Sequence, residues 1–319
     1  MDSRFARHLE NVCRVFGIVP CTEPVSLPGG YVAYVHKIVG NDDVMCVAKT
    51  YDDTRPITQM IIPTLERLSR ATQWLATQPG INGRIVAPLL SVDGTVSVRE
   101  GIYTTVLFPF IDGVTPRKQP LTEAQLGNLV DTVARIHALD PRHSALAMVP
   151  REQFSPLWID EIEPALHRIA QPNHPINAVL HERCEGLRAT FSSFRELCTS
   201  LARIVHPFVL CHTDIHGHNV VIRDDIPLLI DWEGMIIAPP EHDLMFWTED
   251  NQWPVVWKRY QLFHPNATID PRRLRYYQMR RHFEDLIQDI QRIEREHPDA
   301  ESMSVLLESI DVISTELIG

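Results

Sequence analysis

One stretch, residues 209–232, constrains the fold of this chain more than any other part of its sequence. It contains three short apolar runs, and an Asp-Asp-Ile-Pro segment separates the second run from the third. Asp and Pro favour turns because of their backbone preferences and local hydrogen bonds. The pattern therefore predicts a strand, a polar loop and then a β-hairpin.

The polar residues of this stretch indicate its chemistry. Folding the hairpin places Asn219 roughly opposite Asp231, and an amide oxygen beside a carboxylate offers the hard oxygen ligands that suit Mg²⁺. Asp214 lies five residues before Asn219, on the loop that leads into the same strand. It is therefore close enough to act on a substrate next to that metal. We predict Asp214 as the catalytic residue, and Asn219 and Asp231 as the metal ligands.

This spacing matches a kinase catalytic loop, in which an Asp accepts the proton of the substrate hydroxyl and a later Asn holds Mg²⁺. A further Asp at a strand end completes that metal site. Here the loop reads His-Thr-Asp rather than His-Arg-Asp, and Asp-Trp-Glu stands where protein kinases have Asp-Phe-Gly. With His216 and Asn219, the stretch resembles the aminoglycoside phosphotransferase family, the small-molecule branch of the protein-kinase-like fold. The resemblance implies that His212 and Asp243 support this loop.

Within that family the chain resembles the spectinomycin phosphotransferases in particular. They share the run Cys-His-x-Asp-Ile-His-x-x-Asn, an Ile-Asp-Trp, and a segment like Ala-Pro-x-x-x-Asp-Leu-Met-Phe at 238–246. The resemblance covers most of the chain, from about residue 20 to about residue 295. It implies an α+β, bilobal protein-kinase-like fold. A small antiparallel-sheet N-lobe over 1–110 would bind the nucleotide, and a mostly helical C-lobe over 111–319 would carry the catalytic loop.

Two other interpretations of the loop stay open. Three His and one Asp, at 212, 214, 216 and 218, form a pattern that also binds Zn²⁺, since alternating residues of an extended chain share a face. A zinc-dependent hydrolase would follow from that site. This interpretation leaves Asn219 and the hairpin unexplained. The loop is also compatible with an ordinary polar turn.

A strand over 44–49 ends in Lys49, and its Val-Ala-Lys sequence resembles the strand that carries the ATP-phosphate lysine of kinases. The kinase pattern pairs that lysine with a glutamate on the next helix. A helix predicted over 63–74 has Glu66 as its only acidic residue, so we predict a pair between Lys49 and Glu66. A solvated lysine and an exposed surface glutamate are the alternatives.

Two further segments resemble the nucleotide site of the family. Gly29 and Gly30 form a turn between two β-type runs, and such a turn lets backbone N–H groups approach a phosphate closely. The segment at 108–113 resembles the hinge between lobes, where backbone groups hold adenine. The likeness places the accepting carbonyl at Pro109 and the donating N–H at Ile111, and proline indeed has a carbonyl but no N–H. Without the resemblance, these segments are a turn and an edge strand.

Aromatic and acidic residues in the C-terminal half are predicted to bind the acceptor. Trp247 lies near Glu249 and Asp250, and aromatic faces with carboxylates suit a cationic, sugar-like ligand. Glu284 and Asp285 lie on a long predicted helix that resembles the helix lining the substrate site of spectinomycin kinases. A helix packed by its Trp side chains and a solvated acidic face are equally compatible with these patterns.

Apolar periodicity predicts most of the remaining structure. Helices are predicted over 5–16, 63–74, 122–137, 157–169, 178–204, 272–293 and 303–317, and strands over 83–88, 97–99 and 103–108. A capping box, with Thr122 as N-cap and Gln125 at the third helical position, marks the start of one of these helices.

Composition limits the partners. The net charge of −11 argues against nucleic acid and favours a cationic substrate. The six Cys show no CxxC pair and no regular spacing, which predicts free thiols in a reducing cytosol. No apolar run reaches the ~18 residues of a membrane span, and the N-terminus lacks the apolar core of a signal peptide. We therefore predict a cytoplasmic protein with no membrane partner.

These features combine into one hypothesis. The chain is predicted to be an O-phosphotransferase that uses ATP and Mg²⁺ to phosphorylate a hydroxyl of a small cationic molecule. The resemblance favours an aminoglycoside or aminocyclitol antibiotic such as spectinomycin as the acceptor. Antibiotic resistance would be one role for such an enzyme, and biosynthesis and metabolism stay open as the others. A choline-like or homoserine-like metabolite as acceptor, and a catalytically silent ATP-binding protein, stay open as alternatives.

Overall fold

The structure, a computed structural model, describes residues 3–28, 32–41, 44–116, 120–248, 251–296 and 298–318. An antiparallel sheet near the N-terminus is followed by mostly helical structure, which confirms the predicted α+β class. The chain divides into two units. The sheet unit comprises Met1–Pro150, Phe208–Ala238 and Phe246–Ala267, and the helical unit comprises Arg151–Pro207, Pro239–Met245 and Thr268–Gly319. The lobe boundary after residue 110 stays a prediction.

The helices and strands have the following bounds. The strands are β1 (Val25–Ser26), β2 (Tyr34–Val39), β3 (Met45–Asp52), β4 (Ser97–Glu100), β5 (Tyr103–Pro109), β6 (Val209–Cys211), β7 (Val220–Arg223), β8 (Ile226–Leu229) and β9 (Ile236–Ala238). The α-helices are α1 (Ser3–Val15), α2 (Pro56–Leu75), α3 (Glu123–His137), α4 (Ile162–Ile169), α5 (Asn177–Leu180), α6 (Cys184–Leu201), α7 (Glu241–Thr248), α8 (Trp253–Tyr260), α9 (Pro271–Glu296) and α10 (Ala300–Ile318).

The N-terminal sheet has the order β1-β2-β3-β5-β4, and all its neighbouring strands pair antiparallel. The strands predicted over 97–99 and 103–108 are confirmed as β4 and β5. The strand predicted over 83–88 is wrong, since that segment makes an isolated bridge from Ile85 to Leu229 instead. Gly83 at its start has a positive φ of 72°, which turns the chain out of an extended path.

Helices α1 and α2 cover opposite faces of this sheet. Phe5 and Leu9 of α1 pack in a core cluster with Ala48 of β3. Leu65 of α2 packs in another cluster with Tyr51 of β3. Ala48 and Tyr51 differ by an odd number of positions, so their side chains point to opposite faces of the strand. Residues of β3 with odd numbers, Lys49 included, therefore share the face that α2 covers.

Helix α2 begins seven residues earlier than predicted. Proline suits the first turn of a helix, and the sequence has a proline at 56 and another at 63. Pro56 lies at that position, whereas Pro63 lies inside the helix. An interior proline removes one backbone hydrogen bond and costs about 3 kcal/mol. The burial of Leu65, Leu68 and Leu75 on one face of α2 offsets that cost.

The helix predicted over 122–137 is confirmed as α3. Thr122 is its N-cap and accepts a hydrogen bond from the backbone of Gln125, while the Gln125 side chain accepts from the Thr122 backbone. This is the predicted capping box, and it satisfies two N–H groups that a helix start leaves without partners. Arg259 of α8 forms a two-pronged ion pair with Asp131 of α3 and so joins two helices of the sheet unit.

The helical unit is built around aromatic side chains of α6 and α9. Phe194 stacks on Tyr276, and Phe191 meets Phe283 edge-on. The predicted helix over 178–204 is divided into α5 and α6, with a short 3₁₀ turn between them. The helices predicted over 272–293 and 303–317 are confirmed as α9 and α10, each a little longer than predicted.

The six cysteine thiols are all free, as predicted. Cys21 is exposed, and the other five are buried. Within the described ranges, the helices include none with the length and apolar character that crossing a membrane requires.

Candidate active site

The predicted hairpin is present as strands β7 and β8. Its two-residue turn consists of Asp224 and Asp225, with positive φ angles of 51° and 61°. Positive φ at both central positions is typical of the type I′ turn, which suits the twist of paired strands. At the open end of the hairpin, the Ile230 N–H donates to the Asn219 carbonyl at 3.0 Å. Asn219 and Asp231 therefore lie at the same end of the hairpin, as predicted.

The loop before β7 brings Asp214 to Asn219. The Asn219 amide donates to Oδ2 of Asp214 at 2.6 Å and to the Asp214 backbone carbonyl at 3.0 Å. Because an ionised carboxylate only accepts hydrogen bonds, the amide must turn its NH₂ group towards Asp214. Its carbonyl oxygen, Oδ1, is then the atom that Asn219 can offer to a cation.

His216 faces the other oxygen of the same carboxylate. Its Nε2 lies 3.1 Å from Oδ1 of Asp214, and its Nδ1 accepts the backbone N–H of His218 at 3.1 Å. A neutral imidazole has one N–H and one accepting nitrogen. Since Nδ1 accepts, the proton lies on Nε2 and faces Asp214. The carboxylate is thus fixed from both sides by neighbours in its own loop.

His212 supports the loop from its start. Nε2 donates to the Ile230 carbonyl at 2.8 Å, and Nδ1 accepts the Asp214 N–H at 3.3 Å. Trp232 meets the imidazole edge-on at a centroid distance of 4.5 Å. His212 therefore ties the loop to the chain that follows β8. Both nitrogens of His212 and of His216 are directed at protein atoms, which disfavours the zinc interpretation of this loop.

Lys49 is placed against two carboxylates. Its Nζ lies 2.7 Å from Oδ1 of Asp231 and 2.8 Å from Oε1 of Glu233. The Tyr51 hydroxyl also donates to Oε1 of Glu233. Lys49 and Tyr51 are two residues apart on β3, so they share one face of the strand. The other oxygen of Glu233, Oε2, is buried and has no hydrogen-bond partner among the described residues.

Burial and charge act together on these groups. Burial alone lowers the pKa of an ammonium, but the carboxylates of Asp231 and Glu233 outweigh it and raise the pKa of Lys49. Burial and the neighbouring Asp231 raise the pKa of Glu233 to about 7. Burial also acts to raise the pKa of Asp231, but the Lys49 ammonium outweighs it and lowers the pKa. Two carboxylates thus face one ammonium, so the cluster contains more acidic groups than basic ones.

Glu66 does not pair with Lys49. Its side chain is 63% exposed on α2 and forms an ion pair of 2.9 Å with Arg70, one turn later. The neighbouring Leu65 is buried against the sheet, so Glu66 points away from it. The position that we predicted for Glu66 beside Lys49 is taken by Glu233.

The segment predicted as a hinge follows directly from β5. Pro109 pairs with Cys46 at the end of the sheet, and the Phe110 N–H donates to the Met45 carbonyl at 3.0 Å. The Ile111 N–H makes no hydrogen bond among the residues that the structure describes. Pro109 thus ends the strand, and the backbone N–H of Ile111 is available to donate to a ligand. Gly29 and Gly30 lie outside the described residues.

The predicted acceptor residues are spread over both units. Trp247 is buried in the sheet unit, so little of its ring faces solvent. Glu249 and Asp250 lie outside the described residues. In the helical unit, Glu284 lies 3.9 Å from Arg280, and Asp285 pairs with Arg281 at 2.9 Å. Their carboxylates are therefore partly engaged within their own helix.

The remaining supporting residue, Asp243, lies in the helical unit and is buried on α7. Its predicted role in supporting the catalytic loop stays a prediction.

Sequence reasoning missed three contributors to this site. Glu233 and Tyr51 were given no role, although Tyr51 shares the strand face of Lys49 and Glu233 follows Asp231 by two positions. Gly234 was also missed. A Cβ on it would lie 2.6 Å from the Thr213 hydroxyl, which donates to the Gly234 carbonyl at 3.1 Å. The glycine therefore allows the loop that carries Asp214 to approach the Asp-Trp-Glu segment.

Known proteins resemble this chain in sequence and in fold. Protein StrN of Streptomyces griseus is 28% identical over 215 residues, which cover 64% of this chain and 63% of StrN. A solved structure of spectinomycin phosphotransferase APH(9)-Ia, in complex with ADP and spectinomycin, superposes with a TM-score of 0.75 at 21% identity and covers 98% of both chains. Amicoumacin kinase hAmiN, solved with AMP-PNP, Ca²⁺ and Ami, has a TM-score of 0.63 at 12% identity and covers 99% of this chain and 94% of that one.

The fold is thus that of the kinase-like aminoglycoside phosphotransferases, as the sequence predicts. The sequence model of the phosphotransferase enzyme family matches residues 63–277, about two thirds of the chain, and this range includes the loop that carries Asp214. The chain belongs to the phosphotransferase enzyme family.

Proposed function

We propose that this chain is an ATP-dependent O-phosphotransferase that transfers the γ-phosphate to a hydroxyl of a small cationic molecule. One observation carries the proposal. Asp214 and Asn219 are in direct contact, Asn219 shares the end of one hairpin with Asp231, and Asp231 pairs with Lys49. These four side chains have the types and the order that phosphoryl transfer in the kinase fold requires.

Asp214 is the proposed general base. Asn219 holds one of its carboxylate oxygens and His216 faces the other, so the side chain is oriented before a substrate arrives. Asp214 accepts the proton of the acceptor hydroxyl as the new O–P bond forms and the bond between the γ-phosphorus and the bridging oxygen of ADP breaks. Such a transfer depends mainly on positioning and on neutralising charge.

Asp231 and Asn219 are the proposed ligands for Mg²⁺, and their donor atoms fit that ion. They offer a carboxylate and an amide carbonyl, both hard oxygen donors. Oε2 of Glu233 is buried in the same cluster and has no hydrogen-bond partner among the described residues. When bound, Mg²⁺ neutralises charge on the phosphate oxygens.

Lys49 is the proposed contact to the ATP phosphates. It projects from β3 on the face that carries the carboxylate cluster. The proposed adenine contacts are the Pro109 carbonyl and the Ile111 N–H, and the Ile111 donor without a partner supports this assignment. The proposed contacts of Gly29 and Gly30 with phosphate rest on the sequence resemblance.

The proposed acceptor is an aminoglycoside or aminocyclitol, with spectinomycin as the first candidate. The TM-score of 0.75 with a spectinomycin phosphotransferase supports this choice, and so does the net charge of −11. The residues proposed to face the acceptor, on sequence grounds, are Trp247, Glu249, Asp250, Glu284 and Asp285. A cytosolic location, consistent with free thiols, is part of the same proposal.

The test is ATP consumption with Mg²⁺ over a panel of aminoglycosides, aminocyclitols, amicoumacin and simple amino alcohols. Asp214→Asn is assayed alongside, with the exposed Asp93→Asn as the matched control. General acid–base catalysis contributes about 10²–10⁴-fold, so kcat is expected to fall by that factor in Asp214→Asn and to stay unchanged in the control. Nucleotide affinity is expected to change little in either variant.

The possible outcomes separate the rival functions. Turnover of one aminocyclitol that Asp214→Asn abolishes supports both the reaction and the acceptor class. Turnover of a choline-like or homoserine-like alcohol alone keeps the reaction and overturns the acceptor. Nucleotide binding without transfer to any acceptor overturns the catalytic proposal, and stoichiometric Zn²⁺ without nucleotide binding returns the loop to the hydrolase interpretation.

A further inference from the structure

We propose that Glu233, and not Glu66, is the carboxylate that positions Lys49 for the nucleotide phosphates. The inference rests on the proposed function, because it names a positioning residue for that same site. In the kinase pattern, the lysine pairs with a glutamate on the helix after its strand. In this chain the partner comes from the segment after β8, two residues beyond the proposed metal ligand Asp231.

The contacts of Glu233 define it as a fixed partner. Its side chain is 12% exposed, and one oxygen accepts hydrogen bonds from Lys49 and from the Tyr51 hydroxyl. Because Lys49 and Tyr51 lie on one face of β3, this carboxylate bridges two successive side chains of that face. Glu233 therefore restricts the Lys49 side chain to a position beside Tyr51 on the same face of β3.

Glu66 is turned away from this arrangement by the register of α2. Leu65 and Leu68 are buried, each 3% exposed, and they fix which face of the helix meets the sheet. Glu66 is one residue after Leu65, about 100° around the helix, where it pairs with Arg70. A rotation of α2 that brought Glu66 to the sheet would expose both leucines, so burial of apolar surface opposes it.

A second carboxylate has a specific use beside Lys49. A cation bound to Asp231 would repel the Lys49 ammonium, which lies 2.7 Å from the same carboxylate. Glu233 gives the ammonium a second carboxylate partner besides Asp231, and Tyr51 keeps that partner in place. Asp231 is then available to the cation while Lys49 keeps its position. Without Glu233, Lys49 and the cation compete for one carboxylate.

The experiment compares Glu233→Gln with Glu66→Gln, and uses the exposed Glu10→Gln as a matched surface control. The first measurement is the rate at which an amine-reactive ester acylates Lys49 in the ligand-free protein, read by mass spectrometry. Lys49 is 18% exposed and is held by two carboxylates, so loss of the Glu233 contact makes its amine more accessible to the reagent and raises the acylation rate. We expect this rise in Glu233→Gln alone.

The second measurement is the binding of ATP and its dependence on Mg²⁺, by calorimetry without acceptor, followed by steady-state kinetics. A hydrogen bond to a charged group supports about a tenfold to hundredfold effect. We expect Glu233→Gln to weaken MgATP binding by that factor and to raise the Mg²⁺ concentration needed for half-maximal binding. Glu66→Gln is expected to match Glu10→Gln in both measurements.

The outcomes distinguish this inference from the proposed function. Faster acylation and weaker MgATP binding in Glu66→Gln, with Glu233→Gln unchanged, overturns the inference. If only Glu233→Gln gives faster acylation but the unaltered chain binds no nucleotide, the pairing with Lys49 holds and the proposed function fails. A stability loss in Glu233→Gln without a change in Lys49 acylation assigns Glu233 a purely structural role and overturns the inference as well.

Discussion

The side-chain amide of Asn219 donates to Oδ2 of Asp214 across 2.6 Å. This contact joins the proposed metal ligand to the proposed base. An Asn at this position can donate to the carboxylate through nitrogen and offer a carbonyl oxygen to a cation at the same time. No other side chain except Gln combines the two properties, which explains why Asn rather than a second Asp suits this position.

Asn219→Asp tests that double role. The variant keeps an oxygen ligand but replaces the donor with a second negative charge beside Asp214. A like charge raises the pKa of a carboxyl group, so we expect the acid limb of the pH profile of kcat to move to higher pH by about one unit or more. The pH profile is measured at saturating MgATP and acceptor. An exposed Asn82→Asp serves as the control, and an unshifted profile in Asn219→Asp would mean that the amide does not hold the base.

Gly234→Ala tests the close approach of two segments in the site. The added Cβ would lie 2.6 Å from the Thr213 hydroxyl, which is closer than real Cβ contacts allow. We expect a fall in kcat of about tenfold, because the clash moves the loop that carries Asp214. In Thr213→Ala/Gly234→Ala the hydroxyl is absent, so activity should return to the level of Thr213→Ala alone. Additive losses in the double variant would contradict the steric explanation.

Glu233 predicts a pH dependence of the ligand-free protein. Its pKa is raised from 4.5 to about 7 in the fold. The folded protein therefore holds this proton more tightly than the unfolded chain does, and the group weakens the fold progressively as the pH rises from 4.5 through 7. Glu233→Gln removes that penalty.

The measurement is the melting temperature without nucleotide or Mg²⁺ at pH 5 and at pH 8. The melting temperature of Glu233→Gln minus that of the unaltered chain should be a few degrees more positive at pH 8 than at pH 5. Glu66→Gln, which changes an exposed side chain, should give the same difference at both pH values. A constant difference for Glu233→Gln would show that Glu233 is ionised at both pH values.

The buried ion pair of the helical unit predicts a large stability effect. Glu241 is fully buried and accepts two hydrogen bonds from Arg273, at 2.8 and 2.9 Å. Removing one partner of a buried pair costs about 3–5 kcal/mol, because it leaves an uncompensated charge. We therefore expect Arg273→Met to lower the midpoint of denaturant unfolding strongly.

The neighbouring Arg272 provides the matched control. It pairs with Asp270 at 3.0 Å but is 59% exposed, and exposed pairs contribute about 0–1 kcal/mol. Arg272→Met should therefore leave the unfolding midpoint nearly unchanged. Equal effects of the two substitutions would contradict the distinction between buried and exposed pairs in this unit.

Local signals in the sequence predicted the parts of the fold that local interactions determine. The capping box at Thr122 and the turn at Asp224 and Asp225 involve residues a few positions apart. The start of α2 was misplaced because Pro63 has the same local preference as Pro56, and only packing against the sheet decides between them. The segment over 83–88 was mispredicted as a strand for a similar reason. Its local sequence suits a strand, but in the fold Ile85 makes an isolated bridge to Leu229 and does not join the N-terminal sheet.

The arrangement of the residues around the hairpin was predictable because they lie close together in the sequence. One loop and one hairpin contain Asp214, Asn219 and Asp231, so their spacing in the sequence was enough to predict their relative positions. The partner of Lys49 lies 184 positions away, and no periodicity connects the two. The family pattern supplied Glu66 instead. Only the register of α2, fixed by tertiary burial of its leucines, decides between the two carboxylates.

The distribution of thiols has a practical consequence. Cys21 is the exposed one of six cysteines, and its N–H donates to the Val39 carbonyl at the end of β2. Buried thiols are inert to alkylating reagents, whereas an exposed one reacts. A maleimide fluorophore should therefore attach to the native protein at a single position, beside the end of β2 in the N-terminal sheet. The unaltered chain would then carry its own optical reporter, with no cysteine to add or remove.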